Sequence, residues 1–94
     1  MNTILPIGSV VKIKNVEKPV MIFGYLQQSS ARPDDVVDYV AVPYPAGNVH
    51  LAMQMGFQMT DITEVLFEGY KTEEFAPMEA LLAIRKLGHE KGAF

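Results

Sequence analysis

An α+β domain is the fold class this sequence predicts: a twisted antiparallel sheet of four or five strands in meander order, with a C-terminal helix packed on one face. Two observations carry it. Short runs rich in β-branched and aromatic residues, separated by proline, glycine and asparagine turns, fill residues 8–70, and apolar residues then recur at helical spacing over 72–88 behind a capping threonine. A small SH3-like barrel is the alternative architecture for the same strands. The chain has 94 residues, enough for one domain with a single modest core, since a chain of this size buries only about 60 % of its unfolded surface.

The first strand is read from residues 8–14, where Val11 and Ile13 alternate with Lys12 and Lys14. A polar turn over 15–19 joins it to residues 20–27, whose Val20, Ile22, Phe23 and Tyr25 favour a pleated surface, so the two runs form a hairpin. Gly24 marks a bulge or bend. Residues 28–35 are polar and interrupted by Pro33, which predicts a loop. Residues 36–42 make the third strand, and Pro43, Pro45 and Gly47 enforce a sharp turn after it.

Residues 49–59 admit two periods. Leu51, Met53, Met55, Phe57 and Met59 alternate, yet Leu51, Met55 and Met59 also fall every fourth residue, and the reading adopted is a loop or short helical turn near 53–57. After a turn at Thr60-Asp61, residues 61–70 read as a strand with Thr63, Val65 and Phe67 on one face and Glu64, Glu68 and Tyr70 on the other. Val65 and Phe67 are expected to be buried. In the helix, Thr72 caps, Glu73 and Glu74 suit the N-terminal dipole, Pro77 suits the first turn and Gly88 suits a C-cap. Phe75, Met78, Leu81, Leu82 and Ile84 supply the apolar stripe, Glu79, Arg85 and Lys86 the solvated face, and residues 89–94 a frayed tail.

Charge and composition exclude several functions. Net charge is −3: residues 1–30 carry +2, and residues 31–94 carry five cations against ten acids, or −5. That balance lacks the basic footprint of a nucleic-acid binder. No cysteine is present, which removes disulfides and thiolate metal sites and makes a reducing cytoplasm the expected location. Pro6 and Gly8 interrupt the N-terminal apolar run before it resembles a signal peptide, and the uncharged run 45–60 is too polar to insert in a membrane.

No catalytic constellation is visible, so a non-enzymatic protein without metal or cofactor is expected. His50 and His89 lack zinc-ligand spacing, Asp34, Asp35 and Asp38 lack the spacing of a calcium loop, and Ser29-Ser30 lacks a nucleophile elbow. Glycines 8, 24, 47 and 56 are scattered rather than gathered into a phosphate loop. What stands out is four of the six methionines in the later half, Met53, Met55, Met59 and Met78, together with four tyrosines. Methionine fills irregular cores and also adaptable binding surfaces, and a sheet tyrosine serves either a half-buried face or an interface. The protein-binding candidates are Tyr44, Met53, Met55, Phe57 and Tyr70.

Three motifs, residues 5–11 (LPIGSVV), 42–47 (VPYPAG) and 61–70 (DITEVLFEGY), resemble the domain-of-unknown-function family numbered forty-one seventy-six, small proteins of Gram-positive bacteria encoded beside type VII secretion genes. They stand in the family's order and span nearly all of residues 4–72. The Met-rich residues 48–60 depart from its pattern, where a more acidic or asparagine-rich approach is expected. The resemblance implies an accessory or chaperone-like adaptor in the cytoplasm, holding an LXG-type toxin or its small helical WXG100-like companions before export. An immunity protein that neutralises the toxin domain is the alternative. Neither reading involves nucleic acid, a membrane or a catalytic residue, and a homodimer stays open.

Overall fold

The structure, a computed structural model, describes residues 4–28 and 36–90. All but the first residue of the expected 28–35 loop, and residues 91–94 of the expected frayed tail, lie outside the described residues. Five antiparallel strands form one sheet in the order β4-β3-β2-β1-β5, followed by a helix, so the chain is an α+β fold.

Strands β1 (Val10–Ile13) and β2 (Val20–Gln28) form the expected hairpin, its turn carrying Asn15 at φ 67°, a conformation asparagine tolerates better than most residues. β3 (Val36–Pro43) pairs along β2, and the ladder shifts register between Ile22 and Gly24, at the bulge expected there. A Cβ at Gly24 would come within 2.7 Å of a Val40 methyl.

β4 (Met55–Phe57) corrects the reading of residues 53–57 as a loop or helical turn. The period of two holds only for these three residues. Single 3-10 turns at Leu51–Met53 and Met59–Asp61 bracket them and produce the competing period of four. At Gln58 the chain leaves the ladder, but the Gln58 side-chain amide continues it. Its Nε2 donates to the Val36 carbonyl at 3.1 Å, and its Oε1 accepts from the Asp38 amide at 3.2 Å. The Asp38 carboxylate in turn accepts from the Met59 amide at 2.7 Å. This polar clasp carries the β3–β4 contact past the end of β4.

β5 (Ile62–Phe67) returns to the far edge and pairs with β1, so the meander holds for four strands and the fifth crosses over. The sheet is open, with β4 and β5 at its edges. The expected burial of Val65 and Phe67 is not observed: they are 43 % and 62 % exposed. An outermost strand has a neighbour on one side only, and no described element covers Phe67.

One face of the sheet holds the core of Leu5, Val11, Ile13, Val20, Ile22, Tyr39, Ala41 and Phe57, with Tyr25, Met55, Met59 and Ile62 packed against it. The N-terminal segment is bound to this core by two tyrosines that clamp one residue's backbone. Tyr25 donates its hydroxyl proton to the Leu5 carbonyl at 2.5 Å, and the Tyr39 hydroxyl accepts from the Leu5 amide at 3.1 Å. Tyr39 itself lies between the rings of Tyr25 and Phe57, at centroid distances of 5.9 and 5.5 Å.

The helix α1 (Phe75–Glu90) starts as expected: the Thr72 hydroxyl accepts from the Glu74 amide at 3.3 Å and Pro77 lies in the first turn. It continues through Gly88, which therefore is not a C-cap; a lone glycine costs a helix only about 1 kcal/mol. Phe75, Met78 and Leu82 are half-buried, the first two beside Pro6, Ile7 and Tyr25. Glu79, expected on the solvated face, also points inward and accepts from the Ile4 amide at 3.0 Å. Leu81 and Ile84, expected in the inward stripe, are instead 68 % and 66 % exposed.

Candidate protein-binding site

Residues directly opposite one another in an antiparallel ladder share a face of the sheet. Phe67 faces Val10, Val10 faces Met21, and Met21 faces Val42, so one row of apolar side chains crosses β5, β1, β2 and β3 on the side away from the core. Val10 and Val42 are buried in the row and Met21 is half-buried, whereas Phe67 stands out at its end. Beside the row opens a shallow groove of ≈ 490 Å³, lined by Gly8, Val10, Pro19, Met21, Tyr44, Leu66 and Phe67.

The groove depends on three turns being held in place. Gly8, at φ 91°, reverses the chain after Pro6 so that its amide donates to the Ile22 carbonyl at 2.9 Å. Ser9, fully buried, donates its hydroxyl proton to the Pro6 carbonyl at 2.7 Å and accepts from the Gly69 amide at 2.9 Å. Gly69 lies so close to the Ile7 carbonyl that a Cβ there would come within 2.3 Å of the oxygen. At the third corner, the Tyr44 amide donates to the Pro19 carbonyl at 3.0 Å, the Tyr44-Pro45 bond is cis, and Gly47 at φ 80° returns its amide to the Pro43 carbonyl at 2.7 Å. These bonds lock the backbone and leave the Tyr44 ring 46 % exposed at the rim.

A second groove, ≈ 540 Å³, runs between the N-terminal segment and α1, with Pro6, Ile7, Tyr25, Tyr70, Phe75, Met78 and Leu81 along it. Partial burial, reinforced by the nearby Tyr39 and Glu79, pushes the Tyr25 hydroxyl up to about 12, so it is a neutral donor. Burial likewise raises Tyr39. Asp61 moves the other way, held below the usual carboxylate range by the Gln58 amide and by Lys14, 3.1 Å away.

The five sequence candidates do not gather into one surface. Tyr44 lines the outer groove, while Tyr70, 84 % exposed, borders the one beside α1. Met53 is exposed on the 3-10 turn before β4. Met55 packs against the core and Phe57, 4 % exposed, is part of it, so Phe57 is not available to a partner. Sequence reading missed Gly8, Val10, Pro19, Met21, Leu66 and Phe67. For Gly8, Val10, Leu66 and Phe67 the signal is the motifs themselves, all three of which contribute to the outer groove, whereas Pro19 and Met21 lie outside the motifs.

Tyr44 carries the only titratable side chain among the described residues that line the outer groove. Among the described residues no three histidine, aspartate or glutamate side chains gather as a metal site, and no helix is long and apolar enough to cross a membrane. In comparison with known proteins, the family model described as "Domain of unknown function (DUF4176)" matches residues 4–78. No curated protein and no solved structure matches the chain.

Proposed function

The chain belongs to that family of unknown function, DUF4176, and from the surface its motifs build we propose that it is a non-enzymatic adaptor that binds another protein through the outer groove. One observation carries this reading. Three motifs far apart in sequence converge on a groove whose backbone is locked by hydrogen bonds, while its rim exposes Tyr44, Leu66 and Phe67 at 46 %, 45 % and 62 %. Folding alone does not require large apolar side chains to stay in water, and a patch of this kind, rigid and rimmed by an aromatic pair, suits a protein partner.

The partner we propose is the helical export region of an LXG-type toxin, or the small WXG100-like proteins that accompany it, held in the cytoplasm before type VII secretion. A helix lays apolar residues into a groove at intervals of three and four, and the Phe67–Val10–Met21 row with Tyr44 at its side offers such a track. Coexpression with an LXG-type toxin from the same genome tests this. The complex should copurify through the toxin's N-terminal region and survive deletion of its C-terminal toxic domain. Phe67→Ala and Tyr44→Ala should each weaken it by about 2 kcal/mol, near thirtyfold in Kd. A complex formed with the toxic domain alone would instead make the protein an immunity factor.

A further inference from the structure

The helix α1 turns a carboxylate inward and leaves an uncharged line of side chains outward. Surface helices bury an apolar stripe and turn charge outward. Here the inward face includes Glu79, and the outward face presents Ala76, Pro77, Ala80, Leu81 and Ile84, all exposed and none charged. Their spacing of three and four residues is a continuous line along the helix. Phe75, Met78 and Leu82 form the half-buried line of the helix, so this second, exposed line is one that intramolecular packing does not use.

We propose that this face pairs with the same face of a second copy, the two α1 helices lying antiparallel. Two features select a second copy in that orientation. The first is charge. Glu73 and Glu74 are exposed at the N-terminal end of the helix, whereas Arg85 is exposed toward its C-terminal end. Parallel pairing would set like beside like; antiparallel pairing sets each acidic end beside the other copy's basic end. The second is size. A two-fold axis between Ala80 and Leu81 puts each Leu81 beside the small Ala80 of the other copy and each Ile84 beside its Pro77. Large residues then meet small ones along the whole contact, as an isologous interface requires. Tyr70 and Ile7, exposed beside the helix groove, extend the contact at its edges.

This surface is separate from the outer groove, and its test does not depend on any toxin. Analytical ultracentrifugation of the purified full chain, from about 1 to 300 µM, should show a monomer–dimer equilibrium that weakens as salt is raised. Leu81→Glu and Ile84→Glu should each weaken dimerisation at least tenfold while leaving the melting temperature unchanged at the low concentration where wild type is monomeric, because both side chains are exposed. Glu74→Lys or Arg85→Glu alone should weaken the dimer, and the double charge swap should restore it. Phe67→Glu should leave it intact. A monomer across the whole range overturns the proposal. So does a dimer that survives both glutamate variants, or one lost with Phe67→Glu. A monomer that binds an unrelated amphipathic helical peptide through Leu81 and Ile84 would overturn it too, by assigning the face to a different partner.

Discussion

Phe57 and Phe67 occupy matching places in the sheet: each is the last residue of an outermost strand, β4 at one edge and β5 at the other. Their surroundings are opposite. Phe57 is 4 % exposed and stacks on Tyr39 at 5.5 Å, while Phe67 is 62 % exposed over the outer groove. After β4 the chain stays bound to β3, since Gln58 turns its amide onto β3 and Asp38 holds Met59. After β5, Gly69 is pinned to Ser9 instead, and the chain departs toward α1 without covering the ring. The protein takes the aromatic end of one edge strand into its own core and leaves that of the other outward.

The largest test of this asymmetry is Phe57→Ala. Removing a buried phenyl ring from the Tyr39 stack should cost about 3–5 kcal/mol in urea unfolding, a large share of the total for so small a domain. A loss below about 1 kcal/mol would place Phe57 at the surface after all. Next comes Gly69→Ala, where the new methyl must push the Ile7 carbonyl aside and strain the bond to Ser9. About 1–3 kcal/mol is expected. An unchanged midpoint would show that the join between the first and third motifs is loose.

Much of this fold is legible in the sequence, and the failures have physical causes. Alternation in Val10–Ile13 and β-branched richness in Val20–Gln28 and Val36–Pro43 identify strands because each run is long enough, or paired closely enough to a turn, for its period to show. β4 is invisible because three residues between two 3-10 turns cannot establish a period. Apolar content does not decide the faces of β5, because it is the same for a buried strand and for an edge strand that exposes a binding surface. Similarly, nothing in the spacing of α1 says which of its two apolar lines turns inward; the Ile4–Glu79 hydrogen bond orients the helix, and that contact spans 75 residues. The site is legible only through Tyr44 and through motifs whose convergence needs three dimensions.

Tyr39→Phe probes the core more finely. It removes the acceptor of the buried Leu5 amide, and an unsatisfied buried donor costs about 1–3 kcal/mol. Alkali should act on the same clamp. With Tyr25 raised from 10.0 to about 12, the folded state favours the neutral phenol. Its contribution is complete below pH 10 and is lost as pH rises from 10 toward 12. Thermal melts should therefore hold steady to pH 10 and fall above it, less steeply in Tyr25→Phe. At the acid end Asp61, with its lowered pKa, contributes above its ordinary value of 3.8 and loses that contribution as pH falls further, so Asp61→Asn should blunt the acid decline.

The smallest expected effect is the most informative. Phe67→Ala trims a ring that is already mostly in water, and substitutions at such positions change stability by about 0.5 kcal/mol or less. The same ring ends the apolar row and lines the outer groove, so its loss should appear in partner binding while the unfolding midpoint stays put. Measuring both quantities on one preparation separates the two edges of the sheet. A Phe67→Ala protein destabilised as much as Phe57→Ala would mean that β5 is covered in solution by the chain itself, and the groove would then be core rather than a place for another protein.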